Sequence, residues 1–272
     1  MPDRPLSTGQ DLLSIRIEGF EFVEFAAPDP QPLIQLLEKM GFRATAKHRS
    51  KDVTLYRQGE INFIVNATPG SFAQSFAQEH GISICALAFR VADATDAYQK
   101  LLAQGAWEAS TSAGAMELNI PAVESLGGTQ IYLVDRYGRD LSIYDVDFKP
   151  LPEGATTGPM LQRVSRLTLS VGSGRTAEWR DFFCRLFGFE DLTDSRIRSP
   201  DGSFELRFAE IADAEFDLSD EGISAIHLAT DEPASACAAL GAAGIDCKSL
   251  DQDGWKLEHD ALVEAVDFLI ER

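Results

Sequence analysis

The sequence predicts an α+β protein of two modules, each a curved mixed sheet built from paired βαβββ motifs with helices on its outer face. Three observations carry this. The two halves repeat one order of elements, a second pair of matching segments follows within each half, and a stretch rich in Pro and Gly, residues 149–161, lies between them. The boundaries read as an N-terminal extension over 1–18, a first module over 19–148, a linker over 149–161 and a second module over 162–272. A chain of 272 residues with 44% hydrophobic residues can build a core in each module.

Each element has its own signal. In the first half, "FEFVEFAAPDPQPLIQLLEKMGFRA" reads as strand, proline turn, amphipathic helix and a stop at Gly41. "VTLYRQGEINFIVN" then supplies short strands, and "GISICALAFRVADATDAYQKLLAQGA" a strand, an acidic turn and a helix. "GTQIYLVDRYGRDLSIYDVDF" predicts two strands around a tight turn. The second half repeats this with "VSRLTLSVGSGRTAEWRDFFCRLFGFED", where Gly188 ends the helix, and "RIRSPDGSFELRFAEI", with a Pro-Asp-Gly turn. "GISAIHLATDEPASACAALGAAGID" and "WKLEHDALVEAVDFLIER" close it.

Period-two alternation assigns faces. In "VSRLTLSV", Leu167, Leu169 and Val171 share one side, and Arg166, Thr168 and Ser170 the other. In "SFELRFAE", Phe204, Leu206 and Phe208 oppose Glu205 and Arg207. A curved sheet encloses a cavity, so Arg166, Glu205, Arg207 and His227 become ligand-binding candidates if the polar sides face inward.

Charge and cysteine content limit the function classes. A net charge of −19 repels phosphate backbones and anionic membrane surfaces, so neither nucleic acid nor membrane is an expected partner. No apolar run is long enough to span a bilayer, and the N-terminus lacks the order of a signal peptide, so a cytoplasmic location is expected. The cysteines Cys85, Cys184, Cys237 and Cys247 form no CxxC pair and read as buried thiols in a reducing compartment.

The stretches "GFEFVEFAAPDP", "HRSKDVTLYRQGEINFIVN", "EHGISICALAFRV", "MELNIPAVESLGG" and "IYLVDRYG" with "SIYDVDF" resemble the N-terminal module of bacterial 4-hydroxyphenylpyruvate dioxygenases, in the vicinal oxygen chelate (glyoxalase, bleomycin-resistance and dioxygenase) superfamily. Through "EWRDFFCRLFGF", "SPDG" and "EGIS" with "TDE", the second half resembles the C-terminal module more weakly. The resemblance implies two vicinal oxygen chelate modules and Fe(II) chemistry in the second, where two histidines and a glutamate of the concave sheet hold the iron. It places those ligands at Arg166, Ala225 and Phe268, none of which can bind Fe(II). No cofactor is therefore expected. The family pattern also implies trimming between Phe189 and Ser199, Ile211 and Glu221, and Ile245 and Trp255. It further implies a C-terminal lid helix beyond Arg272 that this chain lacks. Some bacterial 3-dehydroshikimate dehydratases carry a region of this kind.

A replacement site would need His227, two residues beyond Ala225, and Asp267, beside Phe268; two ligands make a weak metal site. Two readings of the other candidates stay open. An Arg166–Glu205 ion pair fills the pocket, which is the preferred reading. Alternatively Arg166 and Arg207 take a small carboxylate or aromatic acid by bidentate bonds. His48, His80 and His259 read as structural, turn-associated or solvated. The functional expectation is a non-catalytic or small-acid-binding homologue that associates with itself. The alternative is a dioxygenase or metal-independent enzyme acting on an aromatic or 2-oxo acid.

Overall fold

A computed structural model describes residues 15–110, 117–138, 141–152, 160–212, 216–250, 254–258 and 266–272. The first module runs β1 (Ile17–Ala26), α1 (Gln31–Lys39), β2 (Arg43–His48), β3 (Val53–Gln58), β4 (Ile61–Asn66) and α2 (Phe72–His80), then β5 (Ser83–Val91) and α3 (Ala94–Ala103). It closes with β6 (Ala122–Glu124), β7 (Gln130–Val134), α4 (Ile143–Asp147) and β8 (Phe148–Pro150). The second comprises β9 (Arg163–Gly172), α5 (Thr176–Phe187), β10 (Glu190–Thr193), β11 (Arg196–Arg198) and β12 (Glu205–Ile211), then β13 (Gly222–Ala229), α6 (Pro233–Ala242), β14 (Asp246–Leu250), β15 (Gly254–Glu258) and β16 (Asp267–Glu271).

Each module forms one 8-stranded mixed sheet, ordered β6-β7-β5-β1-β4-β3-β2-β8 and β10-β11-β12-β9-β13-β16-β15-β14. The second is two complete βαβββ motifs joined where β9 and β13 run antiparallel. In the first, the last strand β8 crosses to pair with β2 at the far edge.

Sequence periodicity explains the helices. In α1, Leu33, Leu36 and Leu37 fall on one stripe and are buried; in α5, Phe183, Leu186 and Phe187 do the same. Gly188 ends α5 at φ 71°, a left-handed conformation that a side chain would strain.

The helices and the apolar sides of both sheets enclose one shared core. Phe25 of the first module stacks on Phe268 of the second at 6.2 Å, and Phe20 meets Phe204 edge-on at 5.2 Å. Each fully buried aromatic of this kind contributes about 2–3 kcal/mol by removal from water. The sheets therefore meet back to back, and their polar sides look away from each other.

Two local expectations are corrected. "LSIYDVDF" does not continue as a strand: Ser142 and Asp145 form a capping box that nucleates the short helix α4 before β8. Of the cysteines, only Cys85 is buried; Cys184, Cys237 and Cys247 are half-exposed, because they sit on helix flanks and an edge strand. Helix α2, which the sequence reading passed over, starts at a Ser71 side chain accepting from the Gln74 N–H.

Candidate functional site

The polar side of the second sheet carries the candidate site. Strand β9 alternates as expected: Leu167, Leu169 and Val171 are fully buried in the core, while Arg166, Thr168 and Ser170 point the other way. Strands β12 and β13 lie on either side of β9, with Glu205 opposite Arg166, Arg207 opposite Thr168, and His227 opposite Arg166 from the other flank. The register thus gathers Arg166, Glu205 and His227 into one row. Arg207 shares their face, paired with Arg196 across β11.

Charge binds this row together. Arg166 Nε lies 3.4 Å from Glu205 Oε2, and its Nη1 lies 3.4 Å from Glu271 Oε2. Glu205 is also reached by Arg198 at 3.1 Å and Arg196 at 3.5 Å. The Arg166 Nε and Glu205 Oε2 atoms are buried yet not aligned as a hydrogen bond, so the pair is held by charge alone. Each partner has a second tie: without Glu205, Arg166 keeps Glu271, and without Arg166, Glu205 keeps Arg196 and Arg198.

His227 is 1% exposed. Its Nδ1 lies 3.2 Å from Glu271 Oε2 and its Nε2 lies 3.0 Å from Thr168 Oγ1. A carboxylate only accepts, so Nδ1–H donates to Glu271, and in the neutral ring Nε2 accepts from the Thr168 hydroxyl. Ser165 donates to Glu271 Oε1 at 2.6 Å. Burial alone raises the Glu271 carboxyl, but the bonds from His227 and Ser165 and the Arg166 charge outweigh it and hold the group below the usual glutamate range.

The other candidates lie elsewhere. Ala225 is buried, opposite Thr168 and Asp267. Phe268 faces the shared core against Phe25 and Phe63, away from the polar row. Asp267 does not reach His227; it pairs with Lys256 at 2.6 Å. His48 ends β2 on the first module's concave face, and His80 ends α2 with its ring 4.2 Å from Phe76. His259 lies outside the described residues. Among the described residues, no three His, Cys, Asp or Glu side chains sit together as a metal-holding group.

Glu271 is the member that sequence reasoning missed, and Thr168, placed on the polar side, was not read as the partner of His227. Counting alternate residues along β16 from Asp267 reaches Leu269 and then Glu271, so the signal was present. It was obscured by anchoring the strand at Phe268.

A family profile described as "Hydroxyphenylpyruvate dioxygenase, HPPD, N-terminal" matches residues 14–149. The 4-hydroxyphenylpyruvate dioxygenase of Pseudomonas sp. (strain P.J. 874) is 44% identical over 203 residues, covering 69% of this chain and 57% of that protein. Hemolysin VllY of Vibrio vulnificus (strain CMCP6) is 39% identical over 241 residues, covering 79% and 67%. The chain thus spans roughly three-fifths of these relatives' length. A solved fusion of a xylose isomerase-like TIM barrel with 4-hydroxyphenylpyruvate dioxygenase superposes with TM-score 0.79 at 26% identity, over 94% of this chain and 49% of that one. A mutant of 4-hydroxymandelate synthase from Streptomyces coelicolor shares the fold, with TM-score 0.72 at 15% identity over 94% and 93%. With two curved sheets of this topology and relatives at this identity, the chain belongs to the hydroxyphenylpyruvate dioxygenase family of the vicinal oxygen chelate fold.

Proposed function

We propose that this protein is a non-catalytic member of its family, in which an internal ion-pair network takes the place of an iron centre. The observation that carries this is Arg166. A permanently charged guanidinium, 14% exposed, lies beside Glu205 and Glu271 at the position where the family resemblance puts a ligand histidine. The donor set around it does not suit Fe(II). His227 has both ring nitrogens in hydrogen bonds, and Glu271 accepts from Ser165 while facing Arg166 and His227. A cation entering this row would meet the Arg166 charge at short range.

The test is anaerobic reconstitution with Fe(II), metal analysis, and oxygen uptake with 4-hydroxyphenylpyruvate. Iron far below one equivalent and no substrate-dependent uptake are expected. Stoichiometric iron with uptake would defeat the reading and restore the enzyme alternative.

One observation favours a second reading, binding of a small carboxylate. The Arg166–Glu205 contact is unaligned and leaves two polar atoms unsatisfied, so an incoming carboxylate with better geometry can compete for the guanidinium. Calorimetry with phenylpyruvate on the wild type and on Arg166→Met separates this from an inert network: binding that disappears in the variant supports it.

A further inference from the structure

The first module's concave face, which the reading above does not use, holds a cavity of about 140 Å³ that opens to solvent. That is close to the roughly 150 Å³ that accommodates a benzene ring in an engineered apolar cavity. Its walls include the rings of Phe22, Tyr132 and Phe148. Glu24 of β1, 8% exposed, also lines it.

This carboxyl is held in place. Asn66 donates to Glu24 Oε1 at 2.7 Å, and Asn66 Oδ1 is itself fixed by the Thr68 N–H at 3.0 Å. Among the described residues, no hydrogen bond is made to the other Glu24 oxygen. At the more exposed end, Lys51 pairs with Glu117 at 2.9 Å, and its charge also acts on Glu24. Asp147 accepts from the Leu118 N–H with both oxygens, at 3.2 and 3.3 Å. His48 Nδ1 accepts from the N–H groups of Ser50 and Lys51, and burial lowers its affinity for a proton. The lining therefore sets three carboxyl groups, Glu24, Glu117 and Asp147, against the one ammonium of Lys51, beside aromatic faces. That combination selects a cation with a flat apolar frame.

We propose that this cavity binds a small aromatic primary amine, its ammonium against Glu24 and its ring among Phe22, Tyr132 and Phe148. An acid of the same size would face Glu24 and Asp147, and a neutral analogue would forgo the charge. The groups facing Glu24 also set a proton signature. Burial raises its carboxyl, against the Asn66 bond and the Lys51 charge, and Cys85 and Tyr132 share the surroundings. Docking an ammonium ionises whatever fraction of Glu24 is protonated, and that proton leaves to solvent.

The experiment is titration calorimetry of the full chain with benzylamine, benzyl alcohol and benzoate, in two buffers of different ionisation enthalpy. The expected result is saturable 1:1 binding of benzylamine, with proton release that grows as pH is lowered towards the titration of Glu24. Benzyl alcohol should bind at least tenfold more weakly, and benzoate should not displace the amine. Glu24→Gln should weaken benzylamine at least tenfold and abolish the buffer dependence, with its melting temperature reported alongside. Benzyl alcohol binding as well as benzylamine, displacement by benzoate, or no amine binding at millimolar concentration would each overturn the proposal. The ligand series uses wild-type protein, so it decides the matter even if Glu24→Gln fails to fold. None of these outcomes depends on iron or on Arg166.

Discussion

At the scale of single residues, two glutamates on opposite faces of the molecule behave in opposite ways. Glu271 has a folded-state pKa below its unfolded value of about 4.3. It therefore adds stability above that pH, and the contribution is lost as pH falls through its folded value. Glu271→Gln should flatten the acid limb of stability below about pH 4.3, read from urea midpoints. Glu24 is raised, so its relative contribution is present below about pH 4.3 and lost as pH rises through its folded value. Glu24→Gln should accordingly gain on the wild type as pH rises. In the ion-pair row, Glu205→Ala removes the shared partner of Arg166, Arg196 and Arg198. A loss of about 1–2 kcal/mol in unfolding free energy is expected, read from urea midpoints, because Arg166 keeps Glu271 and the other two arginines reach solvent. Arg166, Glu205 and His227 could be read from the sequence because alternation fixes which side of a strand a residue occupies. Glu271 could not be reached once β16 was read from Phe268, since a one-residue shift exchanges the two faces.

At the scale of elements, turns between the modules set the tightest constraints. Gly127, at φ 57°, lies in the 3-10 turn Leu126–Gly128, and a Cβ there would sit 1.8 Å from the Glu221 carbonyl oxygen of the second module. Glu221 in turn is bound by Arg175 at 2.7 Å, by the Trp179 indole N–H at 2.8 Å and by the Gly172 N–H at 2.9 Å. Gly127→Ala must move one backbone or the other and should cost more than about 2 kcal/mol. Gly105→Ala, at φ 91° but in open space, should cost about 1 kcal/mol. Thermal melts of the two variants compare them directly. Such contacts were invisible in the sequence because each joins residues far apart in the chain. The helices α1, α3 and α5 were legible because their apolar spacing is local, and α6 because it is rich in alanine. By contrast, "SIYDVDF" carries both a strand-like pattern and a capping box, and the box won.

At the scale of the whole molecule, the shared core predicts one cooperative transition. Phe268→Ala removes a ring packed against Phe25 and Phe63 of the other module. It should lower stability by about 3–5 kcal/mol without splitting the melt into two steps, as followed by far-UV dichroism and tryptophan fluorescence. The two-module plan was readable because the halves repeat one order of elements. Their back-to-back association was not, since the apolar side of a strand does not say which partner covers it. The arrangement has a consequence for how such a chain can change. Strand alternation gives the residues that hold the two halves together and the residues that face a ligand to different atoms of the same strands. Polar residues on either concave side can therefore be exchanged while the Phe-rich contact between the sheets stays intact. Chemistry can be lost from one side and a new binding preference gained on the other, with the scaffold insulating each from the other.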